Sequence, residues 1–217
     1  MPAPSAYRIL AINPGSTSTK VAVYQGERLL WAETVHHPAP ELARHAHVVD
    51  QYAMRLRAIL ALLDSRAVAV ESLDAVVGRG GILRPVSGGT YRVNEAMLQA
   101  LRHPAERQHA SNLGALLAHE IAGLASALAF IVDPVSVDEF EPLARVSGWP
   151  EIERRSISHA LNLKATARRA AGDLGHRYEE LNLIGVHLGG GISVSAHRRG
   201  YPIFFQYLIE ILILSVS

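Results

Sequence analysis

The stretch INPGSTSTK, residues 12–20, decides how the N-terminal part of the chain folds. An apolar run at 9–12 leads into it, and an alternating run at 21–24 leads out of it. Pro14 and Gly15 favour a tight turn between these two runs. A turn needs no further polar groups, yet four hydroxyl residues and a lysine follow. The stretch therefore predicts a β-hairpin whose turn, residues 13–20 and here called the opening turn, serves a function.

The hydroxyl groups and the charge of the opening turn are typical of an anion site. Backbone N–H groups of a glycine-containing turn can point at a phosphate. Ser16, Ser18 and Lys20 would add donors and charge, and Asn13 could hold a metal-bound water or a phosphate oxygen. The alternative is a polar hairpin whose Ser and Thr side chains bond to local backbone groups. Taken as a set, the residues favour phosphate.

Outward from the turn, the chain alternates between strands and helices. Residues 7–35 predict an antiparallel meander of three strands. Helical periodicity follows at 41–64, 111–126 and 156–173, and short apolar strands are predicted at 73–77, 130–132, 181–187 and 192–197. This order indicates an α/β fold with a mixed sheet covered by helices. The periodicity is lost near 145–150, so we predict one domain over 1–148 and a second over 149–217.

The composition is that of an ordinary globular protein. The 217 residues are 49% hydrophobic and 19% charged with a net charge of +1, which gives no electrostatic case for nucleic acid or an anionic membrane. Because there is no cysteine, disulfides, Cys-ligated zinc and thiol catalysis are excluded. No signal-peptide-like segment begins the chain, and the apolar run at 203–216 is shorter than the ~20 residues of a membrane span. We therefore expect a cytoplasmic protein.

A second glycine turn, Gly189, Gly190 and Gly191, lies between two predicted strands. Residues 186–200 align at one offset with residues 12–26, with three identities. Neither turn is a Walker A loop or a Rossmann fingerprint, because the glycine spacing differs and a strand follows rather than a helix. Glycines let a backbone approach phosphate closely, although a tight turn without a ligand explains them equally well. The pair suggests two hairpins that hold one polyphosphate.

Three further positions carry residue types suited to phosphate chemistry. Arg79 follows a buried strand among glycines and can reach a planar oxyanion through two N–H groups. Asp133 ends an apolar strand, where open α/β sheets place their sites, and could bind Mg²⁺ or align a reacting carboxylate. His159 begins a helix and could stabilise a transferring phosphoryl group. The alternatives are a surface ion pair, a turn residue and a packed histidine; His109 and His187 share the last alternative.

Five motifs, in order along the chain, resemble the butyrate kinases of the acetate kinase group, in the actin-like ATPase superfamily. They are INPGSTSTK, VVGRGGILRPVSGGTYRVNE, DPVSVDEFEPLARVSG, SISHALNLKA and VHLGGGISVSAHRRG. The resemblance covers residues 8 to about 200. It implies a ribonuclease H-like domain with a mixed sheet, followed by an incomplete second domain of the same kind. The two long middle motifs favour butyrate or branched-chain kinases over acetate kinases.

The resemblance implies reversible transfer from ATP, with Mg²⁺, to butyrate or a branched short-chain carboxylate, which gives an acyl phosphate. At the matching positions Asn13 would help place Mg²⁺, and Ser16, Ser18 and Lys20 would contact the phosphates of ATP. Arg79 would hold the carboxylate or the transferring phosphoryl group. Asp133 would be the active-site carboxylate.

The resemblance assigns the remaining roles to histidines and to the second glycine turn. His159 would stabilise the transition state, and His109 matches a histidine near the substrate. Residues His187 to Gly191 would form the second nucleotide phosphate loop. Gly190 stands where acetate kinases usually have Asn, so a side-chain contact is lost there.

The likeness stops at Gly200, and residues 201–217, YPIFFQYLIEILILSVS, form an almost purely apolar tail. Relatives continue well beyond this point, so we hypothesise a truncated, frame-shifted kinase sequence with little or no turnover. Relatives form dimers or larger assemblies largely through the second domain, and the resemblance carries no oligomeric state over to this chain. A second hypothesis is a non-catalytic nucleotide- or phosphate-binding module, or a misfolded remnant of a kinase. A sugar kinase or chaperone-type ATPase of the same superfamily fits the motifs less well.

Overall fold

The computed structural model describes residues 6–103, 109–188 and 191–208. The chain divides into two compact units, and each is described by itself. Unit 1 comprises Met1–Leu83 and Gly89–Pro134, and unit 2 comprises Arg84–Gly88 and Val135–Ser217. The boundary predicted from the sequence, between residues 148 and 149, lies further along the chain and stays a prediction.

Unit 1 is built on a mixed sheet of six strands. They are β1 Arg8–Pro14, β2 Ser18–Gln25, β3 Arg28–His36, β4 Ala75–Arg79, β5 Thr90–Arg92 and β6 Leu128–Val132. Their spatial order is β3-β2-β1-β4-β6-β5. β1, β2 and β3 form the predicted antiparallel meander, whereas β4 runs parallel to β1 and β6 runs parallel to β4. β5 pairs antiparallel with β6 at the edge.

The helices described in unit 1 are α1 Ala39–Leu42, α2 Tyr52–Ser65, α3 Glu95–Arg102 and α4 Asn112–Leu124. Short 3₁₀ helices lie at Val48–Gln51 and Val70–Ser72. The most buried helix is α4, whose apolar side chains join Leu10 and Ile131 of the sheet in one core. Asn94 caps α3, since its Oδ1 accepts a hydrogen bond from the Met97 N–H at 2.9 Å.

Strand β4 and helix α4 touch backbone to backbone. A Cβ atom on Gly78 would lie 2.1 Å from the carbonyl oxygen of Gly114, and a Cβ on Gly114 would lie 2.1 Å from the carbonyl oxygen of Arg79. No other residue type leaves room for this approach. The two glycines therefore fix Arg79, at the end of β4, against the first turn of α4.

Unit 2 contains one helix, α5 Ala160–Asp173, and three antiparallel strands within the residues described. The strands are β7 Asn182–Leu188, β8 Ile192–Arg198 and β9 Tyr201–Leu208, in the order β7-β8-β9. Short 3₁₀ helices lie at Pro142–Arg145 and Tyr178–Glu180. β9 takes up the first half of the apolar tail at 201–217.

Most predicted elements are present, with differences in the helix predicted over 41–64 and in strand β5. The helix predicted over 41–64 begins only at Tyr52, because α1 and a 3₁₀ helix divide the preceding residues. Asp50 ends that continuity by accepting the backbone N–H of His47 at 2.9 Å, which starts a new 3₁₀ turn. Strand β5 is not predicted from the sequence, because its three residues are too few to show the alternation of a strand. Across the part of the chain described, no helix is long and apolar enough to cross a membrane.

Candidate functional site

The predicted site residues of unit 1 lie along one edge of its sheet. β1, β4 and β6 run parallel, with Ile12 opposite Gly78 and Arg79 opposite Val132. The carboxyl ends of the three strands therefore meet at the same edge, where open α/β sheets bind ligands. Asn13, Arg79 and Asp133 lie on this edge or directly after it, and the opening turn joins β1 to β2 there.

The opening turn is closed by its backbone and presents polar groups outward. The Gly15 N–H donates to the Ser18 carbonyl at 2.7 Å, and the His37 N–H donates to the Thr17 carbonyl at 2.9 Å. Ser16 and Thr17 are exposed. Within the described residues, the hydroxyl groups of Ser16, Thr17 and Ser18 have no hydrogen-bond partner, and neither do the N–H groups of Ser16 and Thr17. Local backbone bonding therefore does not explain these three hydroxyl residues.

Thr19 differs from its neighbours, since it is fully buried. Its Oγ1 accepts a hydrogen bond from Nη1 of Arg55 at 2.9 Å and lies 2.9 Å from Nε2 of His37. The pKa of His37 is lowered, first by burial and then by the positive charge of Arg55. The donor in the contact between the Thr19 hydroxyl and Nε2 of His37 depends on the tautomer of the imidazole.

Neither Arg55 nor His37 is found by the sequence analysis. Arg55 donates through Nη1 to the carbonyl of Ser18 at 3.0 Å and through Nη2 to that of Ser16 at 3.2 Å. The signal that predicts its burial is helical spacing, since Arg55 occupies an apolar position of α2 between Tyr52 and Ile59.

One face of β1, β2 and β3 forms a shallow concavity next to the turn, with a volume of about 420 Å³. Paired positions across the strands place three polar residues in one row: Asn13, Lys20 and Thr34. The next row on this face consists of three alanines: Ala11, Ala22 and Ala32. Lys20 has no carboxylate partner within the described residues. The small side chains leave its ammonium group and the Asn13 amide accessible from above the sheet.

A neutral histidine lies near Arg79. The Ser111 N–H donates to Nδ1 of His109 at 3.1 Å, and the Ser111 hydroxyl lies 2.6 Å from the same nitrogen. Nδ1 is thus an acceptor, which leaves the proton of the neutral ring on Nε2. Partial desolvation lowers the pKa of His109, and the charge of Arg79 lowers it further. A neutral N–H donor beside a guanidinium suits the two oxygens of a carboxylate or a phosphoryl group.

Asp133 is buried and adopts an unusual backbone conformation, with φ of +35°. This left-handed conformation is strained for a residue other than glycine, and more so before Pro134. Gly89 holds it, since the Asp133 N–H donates to the Gly89 carbonyl at 2.9 Å and the Gly89 N–H donates to Oδ1 of Asp133 at 2.8 Å. Such strain is typical of functional sites.

The oxygen atoms of Asp133 and Asn13, on the same sheet edge, are ligand types that Mg²⁺ accepts. Mg²⁺ usually binds one or two carboxylates together with waters and substrate phosphates. A protein cage of three or more His, Cys, Asp or Glu residues is not found within the described residues. The oxygen atoms of Asp133 and Asn13 are compatible with a magnesium ion that keeps most of its waters.

The two predicted histidines of unit 2 lie together. The rings of His159 and His187 stack with centroids 3.8 Å apart and an interplanar angle of 12°. Nδ1 of His159 lies 2.9 Å from Oγ of Ser193, and Nδ1 of His187 lies 2.9 Å from Oδ1 of Asn162. The sequence analysis singles out neither Ser193 nor Asn162.

His159 immediately precedes α5, and Gly191 immediately precedes β8. Gly189 and Gly190 lie outside the described residues, so the predicted second phosphate loop is seen only at its two ends, His187 and Gly191.

No protein-family profile matches the chain. Among solved structures, the acetate kinase of Porphyromonas gingivalis matches with a TM-score of 0.66 and 17% identity, over 92% of this chain and 57% of that one. The acetate kinase of Entamoeba histolytica gives a TM-score of 0.61 and 14% identity, over 91% and 54% of the two chains. A propionate kinase of Francisella tularensis gives a TM-score of 0.59 and 17% identity, over 92% of this chain and 56% of that one.

The chain thus spans little more than half the length of these kinases. At such low identity the likeness concerns the fold alone. It confirms the fold class predicted from the sequence: the chain has the mixed α/β, actin-like ATPase fold of the acetate kinases.

Proposed function

We propose that the chain is a short-chain carboxylate kinase, which transfers the γ-phosphoryl group of ATP reversibly to butyrate or a branched short-chain acid. The observation that carries this proposal is the sheet edge of unit 1. It gathers a turn with unpartnered hydroxyl and N–H donors, a guanidinium near a neutral histidine, and a buried carboxylate in a strained conformation. The fold shared with acetate and propionate kinases supports the same chemistry.

Phosphoryl transfer requires mainly the positioning of the reactants and the stabilisation of charge. We assign the site residues to these two roles. The opening turn and Lys20 hold the phosphates of ATP. Arg79 and His109 hold the acceptor carboxylate, with the guanidinium and the Nε2–H as donors. Asn13 and Asp133 hold Mg²⁺, which neutralises charge on the phosphates when it is bound.

In unit 2, His159 supplies an N–H donor to the transferring phosphoryl group. Ser193 and the stacked ring of His187 fix the orientation of His159. Residues 187–191 form the second phosphate loop. Butyrate is proposed as the acceptor because the motifs at 76–95 and 133–148 resemble those of butyrate kinases more than those of acetate kinases.

Binding to the 217-residue chain tests the proposal without relying on turnover. We expect butyrate and butyryl phosphate to bind, and acetate to bind more weakly. Arg79→Met should weaken butyrate binding at least tenfold. Arg92→Met removes an exposed arginine at the end of β5 and serves as the matched control, with binding within twofold of the wild type. Isothermal titration measures both variants.

A hydroxamate assay with MgATP and butyrate, isobutyrate or acetate measures acyl phosphate formation. Kinases turn over at roughly 1–100 s⁻¹, and acyl phosphate formation from butyrate would support the proposal directly. Tripolyphosphate binding without binding of butyrate or butyryl phosphate would contradict the kinase proposal. That result would favour the second candidate, a non-catalytic phosphate-binding module, which the unpartnered donors of the opening turn support.

A further inference from the structure

The buried guanidinium of Arg55 lies directly beneath the opening turn. Arg55 is fully buried in α2, where its neighbours on the same helix face, such as Ile59, are apolar. Burying a charge costs several kcal/mol unless it is paired and hydrogen-bonded. The burial of this positive charge beneath a turn therefore needs a physical explanation.

All five N–H groups of Arg55 are used, and every partner is neutral. Two of them donate to Oε1 of Gln51, at 3.1 Å from Nε and 2.8 Å from Nη2. The other three donate to the carbonyls of Ser16 and Ser18 and to the hydroxyl of Thr19. The hydrogen bonds are satisfied, but no carboxylate within the described residues forms an ion pair with the guanidinium. An anion bound above the turn would balance it.

The same contacts orient the peptide groups of the turn. The Ser16 carbonyl points at Arg55, and in a planar trans peptide the N–H of Thr17 points the opposite way. That N–H, like the N–H of Ser16, has no acceptor within the described residues. Arg55 thus draws the Ser16 carbonyl toward itself and leaves the Thr17 N–H directed away from the guanidinium.

The network continues from Arg55 through Thr19 to His37 and ends there in a neutral imidazole. Burial, and then the positive charge of Arg55, lowers the pKa of His37, while the nearby Glu41 opposes the shift. Among the described residues of this network, Arg55 is the one that is permanently charged.

We infer that Arg55 is a positioning residue for phosphate: it sets the peptide orientation of the opening turn and supplies a positive potential beneath it. The inference rests on the proposed phosphate-binding role of the turn. It adds a residue that touches neither phosphate nor carboxylate and lies on a helix outside the five motifs.

Three variants of the full 217-residue chain test this inference, with orthophosphate, pyrophosphate and tripolyphosphate as probes. Arg55→Met removes the charge and the donors, and Arg55→Lys keeps the charge but cannot reach all the acceptors. Arg57→Met is the matched control, since it removes an exposed arginine from the same helix. Isothermal titration gives Kd, circular dichroism reports folding, and ¹⁵N amide shifts report the turn.

We expect the amides of Ser16 and Thr17 to shift when tripolyphosphate binds to the wild type. Arg55→Met should raise the Kd for tripolyphosphate at least tenfold. The loss of affinity should grow from orthophosphate to tripolyphosphate as the charge on the probe increases. Arg55→Lys should recover part of the affinity, and Arg57→Met should stay within twofold of the wild type. A general loss of structure would not produce this graded dependence on charge.

A folded Arg55→Met protein with Kd within twofold of the wild type would overturn the inference. If Arg55→Met does not fold, Arg55→Lys decides: unchanged Kd values for all three probes and unchanged amide shifts would overturn it. If the wild type itself binds no tripolyphosphate, the proposed role of the turn fails, and the inference fails with it.

Discussion

Thr19 joins the opening turn to the interior of unit 1. Replacing it with the near-isosteric valine leaves one Arg55 N–H and Nε2 of His37 without their partner. A buried polar group left unsatisfied costs about 1–3 kcal/mol, so we expect Thr19→Val to lower the free energy of unfolding by that amount. Urea unfolding measures it. Thr17→Val is the control, because the exposed Thr17 hydroxyl has no partner and its loss should change stability by less than about 0.5 kcal/mol.

His197 makes the stability of the protein sensitive to acid. It is 2% exposed, its Nδ1 contacts the Tyr178 hydroxyl, and its Nε2 has no hydrogen-bond partner in the part of the chain that the structure describes. Its pKa is lowered below 6.5, first by burial and then by Lys164, while Glu139 opposes the shift. The folded state therefore binds protons less readily than the unfolded state. Stability is present above pH 6.5 and is lost as the pH falls through the lower pKa of the folded state.

We expect the free energy of unfolding to decrease between pH 7.5 and pH 5, by at most about 1.4 kcal/mol per pH unit for this one imidazole. Urea unfolding at several pH values measures the slope. His197→Gln should reduce that slope, whereas His119→Gln, which removes an exposed histidine of α4, should not. An equal slope in the wild type and in His197→Gln would contradict the assignment.

At the scale of elements, two glycines of helix α4 allow a matched comparison. A Cβ on Gly114 would lie 2.1 Å from the Arg79 carbonyl, whereas a Cβ on Gly123 would meet nothing within 4 Å. Overpacking costs about 1–3 kcal/mol or more, so Gly114→Ala should lower the melting temperature and weaken any ligand held by Arg79. Gly123→Ala should raise stability by about 0.5–1 kcal/mol, because alanine favours the helix. Thermal unfolding of both variants decides, and equal effects would argue against the close strand–helix contact.

The meander of β1, β2 and β3 could be predicted because alternation and the Pro14–Gly15 turn agree locally. β5 could not be predicted, since three residues show no period and its pairing with β6 joins distant parts of the chain. Helical spacing places Arg55 on the apolar face of α2, but its partners are carbonyls of residues 16 and 18, which lie far away in the sequence. The helical spacing can therefore identify Arg55 as a buried charged residue, but it cannot identify the groups that Arg55 contacts.

Strand β8 shows the same limit at the level of a whole sheet. Its alternation separates two faces, Ser193, Ser195 and His197 on one, and Ile192, Val194 and Ala196 on the other. From this alternation alone, the apolar face would be predicted to be buried. In unit 2 the polar face is buried instead, with Ser193 bonded to His159 and His197 contacting Tyr178. The buried face serves the histidine cluster, which sequence alternation alone does not reveal.

At the scale of the molecule, unit 2 therefore carries an exposed apolar sheet face. Ile184, Val186 and Leu188 of β7 are 76%, 54% and 75% exposed, and pairing places Val194 and Ile192 of β8 beside them. Contiguous exposed apolar patches promote association and dye binding. We expect the 217-residue chain to bind a hydrophobic dye such as anilinonaphthalene sulfonate and to self-associate as its concentration rises.

The double variant Ile184→Thr with Leu188→Thr tests this expectation. Threonine keeps a high strand propensity, so the sheet should form while the patch loses its apolar character. Dye fluorescence should fall severalfold, and size-exclusion chromatography should shift toward the monomer. Leu174→Ser is the control, because Leu174 is 65% exposed but stands alone at the end of α5. If the double variant binds dye and associates as the wild type does, the association does not arise from this sheet face.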